Sequence, residues 1–157
     1  MKRLTFEQFL PISLDQAWTF FSSPKNLNLI TPPQMDFRIL DPLPDQMYQG
    51  MLIRYKIKPM LRIPLDWVTE ITVIKDHQFF IDEQRKGPYR IWHHEHHFKA
   101  VEGGVLMTDK LYYDIGMGPL GHLAGWLWVD RQVQNIFKYR KAKLDELFRA
   151  TTQRREL

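Results

Sequence analysis

The chain has 157 residues, 44% hydrophobic and 13% aromatic, enough for one domain with a substantial core. It has no cysteine, which excludes disulfides, thiolate catalysis, zinc fingers and iron–sulfur clusters. The net charge of +4 is local: eight Lys/Arg face four Asp/Glu from Val129 onward, and the rest balances at fourteen of each. Those C-terminal charges fall at helical spacing beside apolar residues, the pattern of a solvated helix face, so no nucleic-acid partner is expected.

Lys2 to Leu10 alternates loosely up to Pro11 and predicts a first strand. Glu7 and Gln8 interrupt any signal-like apolar run, and the most apolar later stretch, Leu120 to Val129, is too short to span a bilayer. A soluble, cytoplasmic protein with no integral-membrane segment is expected. Ser13 or Asp15 can cap a short helix through Phe21, with Trp18 and Phe21 on its apolar side. SSPKNL then starts a second short helix with Pro24 near its first position, and TPPQ ends it.

Phe37 to Leu40 predicts a strand, followed by the proline-rich loop DPLPDQMYQG. Met51, Ile53, Tyr55 and Ile57 share one face of the next strand, opposite Arg54, Lys56 and Lys58. Leu65 to Ile74 follows, with Trp67, Thr69, Ile71 and Val73 on one side. Gln78 to Arg85 is next, then a Gly87-Pro88 turn, the histidine-rich run Arg90 to Ala100, a Gly103-Gly104 turn and Val105 to Ile115. GMGP ends the sheet. Leu120 to Phe148 has helical periodicity through Leu120, Leu123, Leu127, Ile136, Phe137, Leu144 and Leu147, with Gly121 and Gly125 loosening its start.

Strands joined by hairpin-length turns must be antiparallel, and a single helix with one apolar stripe must bury that stripe on the sheet. The expected fold is α+β: a first strand, two short helices, about six more strands and one long helix. Residues 1–148 form a single domain and 149–157 a frayed tail. A strongly curved sheet around one helix leaves a space between them unless large side chains fill it.

SSPKNLNLITPPQMDFRI, DEQRKGPYRIWHHEHHF, MTDKLYYDIGMGPLG and IFKYRKAKLDELF together resemble the ligand-binding SRPBCC group of the START/polyketide-cyclase superfamily. The resemblance covers approximately Lys2 to Phe148. It implies the helix-grip fold, a curved seven-stranded antiparallel sheet around a long C-terminal helix, with two short helices between the first two strands and a deep apolar cavity. It does not settle chemistry, since the superfamily includes lipid carriers, hormone receptors and aromatase/cyclases.

Within His93-His94-Glu95-His96-His97, a metalloprotease motif fails because Phe98 stands where its second histidine belongs. On a strand, Trp92, His94, His96 and Phe98 share one face and His93, Glu95 and His97 the other. The aromatics that bracket the first set turn it inward, as the resemblance also implies. The outward set is expected to be largely exposed. It spans about 13 Å from end to end, too far for both end residues to share one ion, so no metal centre is expected.

Pairing around Gly103-Gly104 sets His96 opposite Asp109, with Met107, Leu111 and Tyr113 on the same face. Across Gly87-Pro88, Asp82 or Glu83 can approach His94. A buried imidazole beside a carboxylate is oriented, and its charged form is favoured. His94, His96 and Asp109 are therefore candidate polar anchors. Tyr55, Trp67, Phe80, Trp92 and Tyr113 are a candidate aromatic box, and Leu127 represents the helix. One of Trp126 and Trp128, two apart on the helix, is expected to be exposed or to guard a cavity mouth.

Two functions follow. The first is a binding or carrier protein for a small apolar, aromatic or lipid-like molecule. The alternative is a cyclase/dehydratase-like enzyme using the cavity His and Asp as acid and base. An interaction module using the basic helix ranks last. No phosphate loop, nucleotide fingerprint or Ser/Cys nucleophile constellation appears, so no cofactor is expected.

Overall fold

The computed structural model describes residues 1–60, 63–116 and 122–153. Strand β1 (Lys2–Leu10) leads into helix α1 (Leu14–Phe21). Ser13 starts α1 with a capping box, its hydroxyl accepting from the Gln16 N–H while the Gln16 side chain accepts from the Ser13 N–H. Two 3₁₀ helices follow, Pro24–Ile30 and Pro33–Met35, each opened by proline. Then come β2 (Arg38–Ile39), β3 (Leu52–Met60), β4 (Ile63–Lys75), β5 (Phe79–Lys86), β6 (Ile91–Val101), β7 (Gly104–Asp114) and α2 (His122–Gln153).

The seven strands form one sheet in the order β1-β7-β6-β5-β4-β3-β2, and every neighbouring pair is antiparallel. The fold is the expected helix grip. One half of α2 packs Val129, Val133 and Phe137 on Leu111 and Tyr113 of β7. The other half sends Leu144 and Phe148 into a cluster with Trp18 and Phe21 of α1 and with Phe98, Val105 and Met107 of the sheet. A third cluster, of Ile53, Tyr55, Trp67 and Ile71, lies under the 3₁₀ helices. No helix among the described residues is long and apolar enough to cross a membrane.

Three expectations need correction. Val73 does not join Trp67, Thr69 and Ile71 on the inner face: a bulge between Ile71 and Val73 shifts the register, leaving Val73 exposed and turning Ile74 into the core. Helix α2 runs through Gln153, so the boundary expected at Phe148 falls within the helix. His93, Glu95 and His97 do point outward but are only partly exposed, their rings and carboxylates packing on one another and on Glu83 and Phe79. The helix start expected at Leu120, together with Gly121 and the turn residues Met117 to Pro119, lies outside the described residues, as do the side chains of Leu123 and Trp126.

Candidate functional site

The inner faces of β3, β4, β5 and β6, the N-terminal helices and α2 enclose a cavity of about 190 Å³. Its position follows from topology. The two 3₁₀ helices and the inner face of α2 cover the curved sheet there. Tyr55, Trp67, Tyr89 and Trp92 make one aromatic wall: the Trp67 ring lies 5.5 Å from Trp92 and 5.6 Å from Tyr89, edge-on in both cases. Tyr55 stacks 6.0 Å from Trp67 and exchanges a 3.0 Å hydrogen bond with Thr69. Burial holds the phenols of Tyr55 and Tyr89 neutral by raising their pKa values far above 10.0. The Trp67 indole N–H is buried and has no hydrogen-bond partner among the described residues.

Further along β5 and β6 the same inner face is polar. Strand pairing sets Asp82 beside His94 and His96 beside Asp109, placing four ionisable side chains on one inner face. His94 Nε2 donates to Asp109 Oδ1 at 2.9 Å, and His96 Nε2 donates to Asp82 Oδ2 at 2.7 Å. His94 Nδ1 lies 3.6 Å from that same Asp82 oxygen. The two imidazoles are 3.8 Å apart, His96 stacks 4.2 Å from Phe80, and His94 meets the edge of Phe137. Arg140 reaches in from α2, with Nη1 3.7 Å from Asp109 Oδ1 and its guanidinium over Phe21 and Phe137.

His96 Nδ1 lies 2.9 Å from Asp109 Oδ1 and 3.3 Å from Arg140 Nη2. The first contact favours a charged ring, the second a neutral one. The carboxylates are nearer and flank both nitrogens, so the charged ring prevails. Burial opposes that charge, but Asp109 and Asp82 outweigh it and the His96 pKa rises above 6.5. For His94, burial and the neighbouring His96 charge outweigh the same carboxylates, and its pKa falls below 6.5. Burial works against ionised Asp109, yet Arg140 and both imidazoles hold its carboxyl well below 3.8. Asp82 is lowered too, its burial overcome by His96 and His94.

The cavity gathers Tyr55, Trp67, Phe80, Asp82, Trp92, His94 and His96 from the sequence-derived set. Asp109 stands behind the two imidazoles. Phe98 and Met107 are buried with α1, and Leu111 and Tyr113 under α2, so these four face inward without lining the cavity. Leu127 is misplaced: it is 71% exposed, because the buried stripe of α2 runs through Val129, Val133, Phe137, Arg140 and Leu144 instead. Trp128 is only partly buried against that stripe's upper cluster.

Sequence reasoning missed Arg140, Phe137 and Tyr89. Arg140 did leave a signal, a cation seven residues after Val133 and four before Leu144, on the apolar stripe itself. The lid residues Leu27, Ile30 and Met35 left none, since 3₁₀ turns carry no strong periodicity. The expectation of no metal centre came from the outward histidine row alone. The inward row gains a third donor, Asp82, from the neighbouring strand.

No protein-family model matches the sequence, and no curated protein matches it. Solved structures do match in fold. Protein Ms6760 from Mycobacterium smegmatis superposes with a TM-score of 0.68 at 17% identity, covering 95% of this chain and 92% of that one. A START superfamily protein from Mycobacterium smegmatis gives 0.67 at 9% identity, covering 92% and 98%. The di-domain ARO/CYC protein BexL, from the BE-7585A biosynthetic pathway, gives 0.68 at 15% identity, covering 93% of this chain and 46% of that one. At such identities the likeness shows the helix-grip fold.

Proposed function

We propose that the protein binds a small aromatic molecule bearing at least one oxygen. The observation that carries this reading is one cavity lined both by an apolar aromatic cluster and by a buried His–Asp–Arg cluster. Such a division suits a ligand with a hydrocarbon body and a polar head. An engineered cavity of about 150 Å³ takes benzene, so about 190 Å³ suits one or two rings better than a long acyl chain. The START and ARO/CYC likenesses support a binding cavity in this place.

His94 is the proposed anchor, since its neutral ring keeps an acceptor at Nδ1, while Trp67 supplies a donor across the cavity. Titration of the intrinsic tryptophan fluorescence with 2-naphthol and with naphthalene tests this. A lost buried hydrogen bond costs about 1–3 kcal/mol, so His94→Ala should weaken naphthol roughly tenfold and naphthalene by less than about twofold. Equal weakening of both would reduce His94 to packing.

One observation favours a second reading. Two touching imidazoles with pKa values driven apart are the arrangement of an acid–base pair. In that reading His96 donates a proton and His94 accepts one during cyclisation or dehydration of a polyketide-like ketone. Turnover of a β-polyketone surrogate, lost on His96→Gln with naphthol binding retained, would select it.

A further inference from the structure

We infer that Asp82, His94 and His96 form a divalent transition-metal site that opens into the cavity. Their ligand atoms all lie within 4.8 Å of one another. This deepens the proposed function, because an ion there would hold the ligand's oxygen.

Asp109 commits one nitrogen of each ring. Asp109 Oδ1 engages His94 Nε2 at 2.9 Å and lies 2.9 Å from His96 Nδ1. The other nitrogen of each ring, His94 Nδ1 and His96 Nε2, therefore turns to Asp82 Oδ2, at 3.6 and 2.7 Å. Metal-binding histidines commonly present one nitrogen to the ion and donate from the other to a carboxylate. Here a single carboxylate orients both rings. With Nε2 of His94 engaged by Asp109, Nδ1 is the nitrogen left to face the Asp82 oxygen, and a cation between them would take both as ligands.

The donor chemistry selects the ion. Two imidazoles and a carboxylate suit zinc or iron(II) better than magnesium or calcium, which prefer oxygen. Bonds of about 2.1 Å place tetrahedral donors about 3.4 Å apart. The short His96–Asp82 contact must open and the His94 side must close, each by side-chain rotation of less than about 1.5 Å from the 4.8 Å limit. Three protein ligands leave a fourth position, and all three line the cavity.

Charge then narrows the ligand. Asp82 and Asp109 contribute −2, Arg140 +1 and the ion +2, a surplus of +1 if both imidazoles are neutral. An anionic oxygen, as hydroxide, phenolate, enolate or carboxylate, balances it. Arg140 Nη1 lies 3.7 Å from Asp109 Oδ1, a cation beside the carboxylate that supports both rings.

The test uses the full chain, stripped with chelator and titrated with cobalt(II), whose visible absorption reports coordination by imidazole and carboxylate. Wild type should bind one equivalent at micromolar or lower concentration, and zinc should displace it. Asp82→Asn and His96→Ala should each abolish that absorption. Asp109→Asn should weaken binding roughly 10–100-fold with unchanged stoichiometry. Circular dichroism of each metal-free variant checks that it is folded, and Asp82→Asn provides a near-isosteric second readout should His96→Ala unfold.

The outward residues His93 and His97 are the control: His93→Ala/His97→Ala should leave the cobalt spectrum intact. Loss of the spectrum in that double variant, or binding unchanged in Asp82→Asn, would overturn the proposal. So would the absence of stoichiometric binding by wild type. Naphthol titration of the protein without and with cobalt separates the two readings: naphthol binding without cobalt binding leaves the cavity proposal standing and removes the metal, while cobalt binding with no naphthol bound in either state removes the cavity proposal and leaves the metal site.

Discussion

His94 and His96 sit two residues apart on one face of β6, yet their surroundings drive them in opposite directions. His94 is depressed below 6.5, so its contribution to the stability of the metal-free protein is present above 6.5 and lost as pH falls through its folded value. His96 is raised, so its contribution is complete below 6.5 and lost as pH rises through its folded value. The two losses fall on opposite sides of 6.5, so wild-type stability should peak near that pH. Replacing His94 with Phe removes the loss on the acid side. The variant's urea midpoint should then hold more level as pH falls below 6.5 and still fall as pH rises above it, and a midpoint flat above 6.5 would mean that His96 is neutral in the fold.

Asp109 and Asp82 are depressed below 3.8, so their stabilisation is present above 3.8 and lost as pH falls through their folded values. Asp109→Asn should cost about 3–5 kcal/mol at pH 7, since it leaves His96 and Arg140 buried beside a neutral amide. The loss should shrink in strong acid, where wild type gives up the same charge. The inward histidines and Asp109 were legible from strand parity and turn length, and Asp82 only as one of two candidates with Glu83, since the length of the Gly87-Pro88 loop left the register open. Arg140 was not, because a cation on a basic helix reads as solvated until the stripe's phase is known.

At the scale of elements, what decided legibility was whether the period held. β1, β6 and β7 pair in unbroken register and β3 does so as far as Ile57, so their faces follow from sequence. β4 does not, because its bulge inserts a residue and reverses the parity of everything beyond Ile71. A bulge has no signature in a run such as TEITVIK, so Val73 was assigned to the wrong face. The phase of α2 was misjudged in the same way near its start, which is why Leu127 was taken as a lining residue.

The turn between β6 and β7 shows a different local constraint. A Cβ on Gly104 would lie 2.2 Å from the Leu10 carbonyl oxygen and 2.9 Å from the Phe9 ring. The carbonyl belongs to the paired strand β1 and cannot move without shifting the β1–β7 ladder. Gly103 has a φ of +76° but ample room. Gly103→Ala should therefore cost about 1–2 kcal/mol through its left-handed backbone alone. Gly104→Ala should cost more, about 2–3 kcal/mol or above, as overpacking does. Denaturant midpoints of the two variants give the order, and the reverse order would place the strain in the turn rather than between strands.

The molecule as a whole sets a cavity against a core. A fully packed interior would be more stable, since space of about 190 Å³ forfeits the contacts that neighbouring side chains could make. That cost is expected where a site must admit a ligand. Ile71 on β4 and Val133 on α2 face the cavity from opposite walls, and both are almost fully buried. Enlarging either to Phe extends apolar volume into existing space rather than into a neighbour. Each added methylene-sized group contributes about 0.8 kcal/mol on burial, before rotamer strain and ordering reduce it. Ile71→Phe and Val133→Phe should each stabilise the fold by about 0.5–2 kcal/mol, and the stabilised proteins should lose naphthol binding. Cobalt binding should survive in Ile71→Phe, because the imidazoles and Asp82 stand on β5 and β6 and not on β4. A fall in melting temperature for both variants would show that the walls are already in contact, and the binding proposal would fall with the cavity.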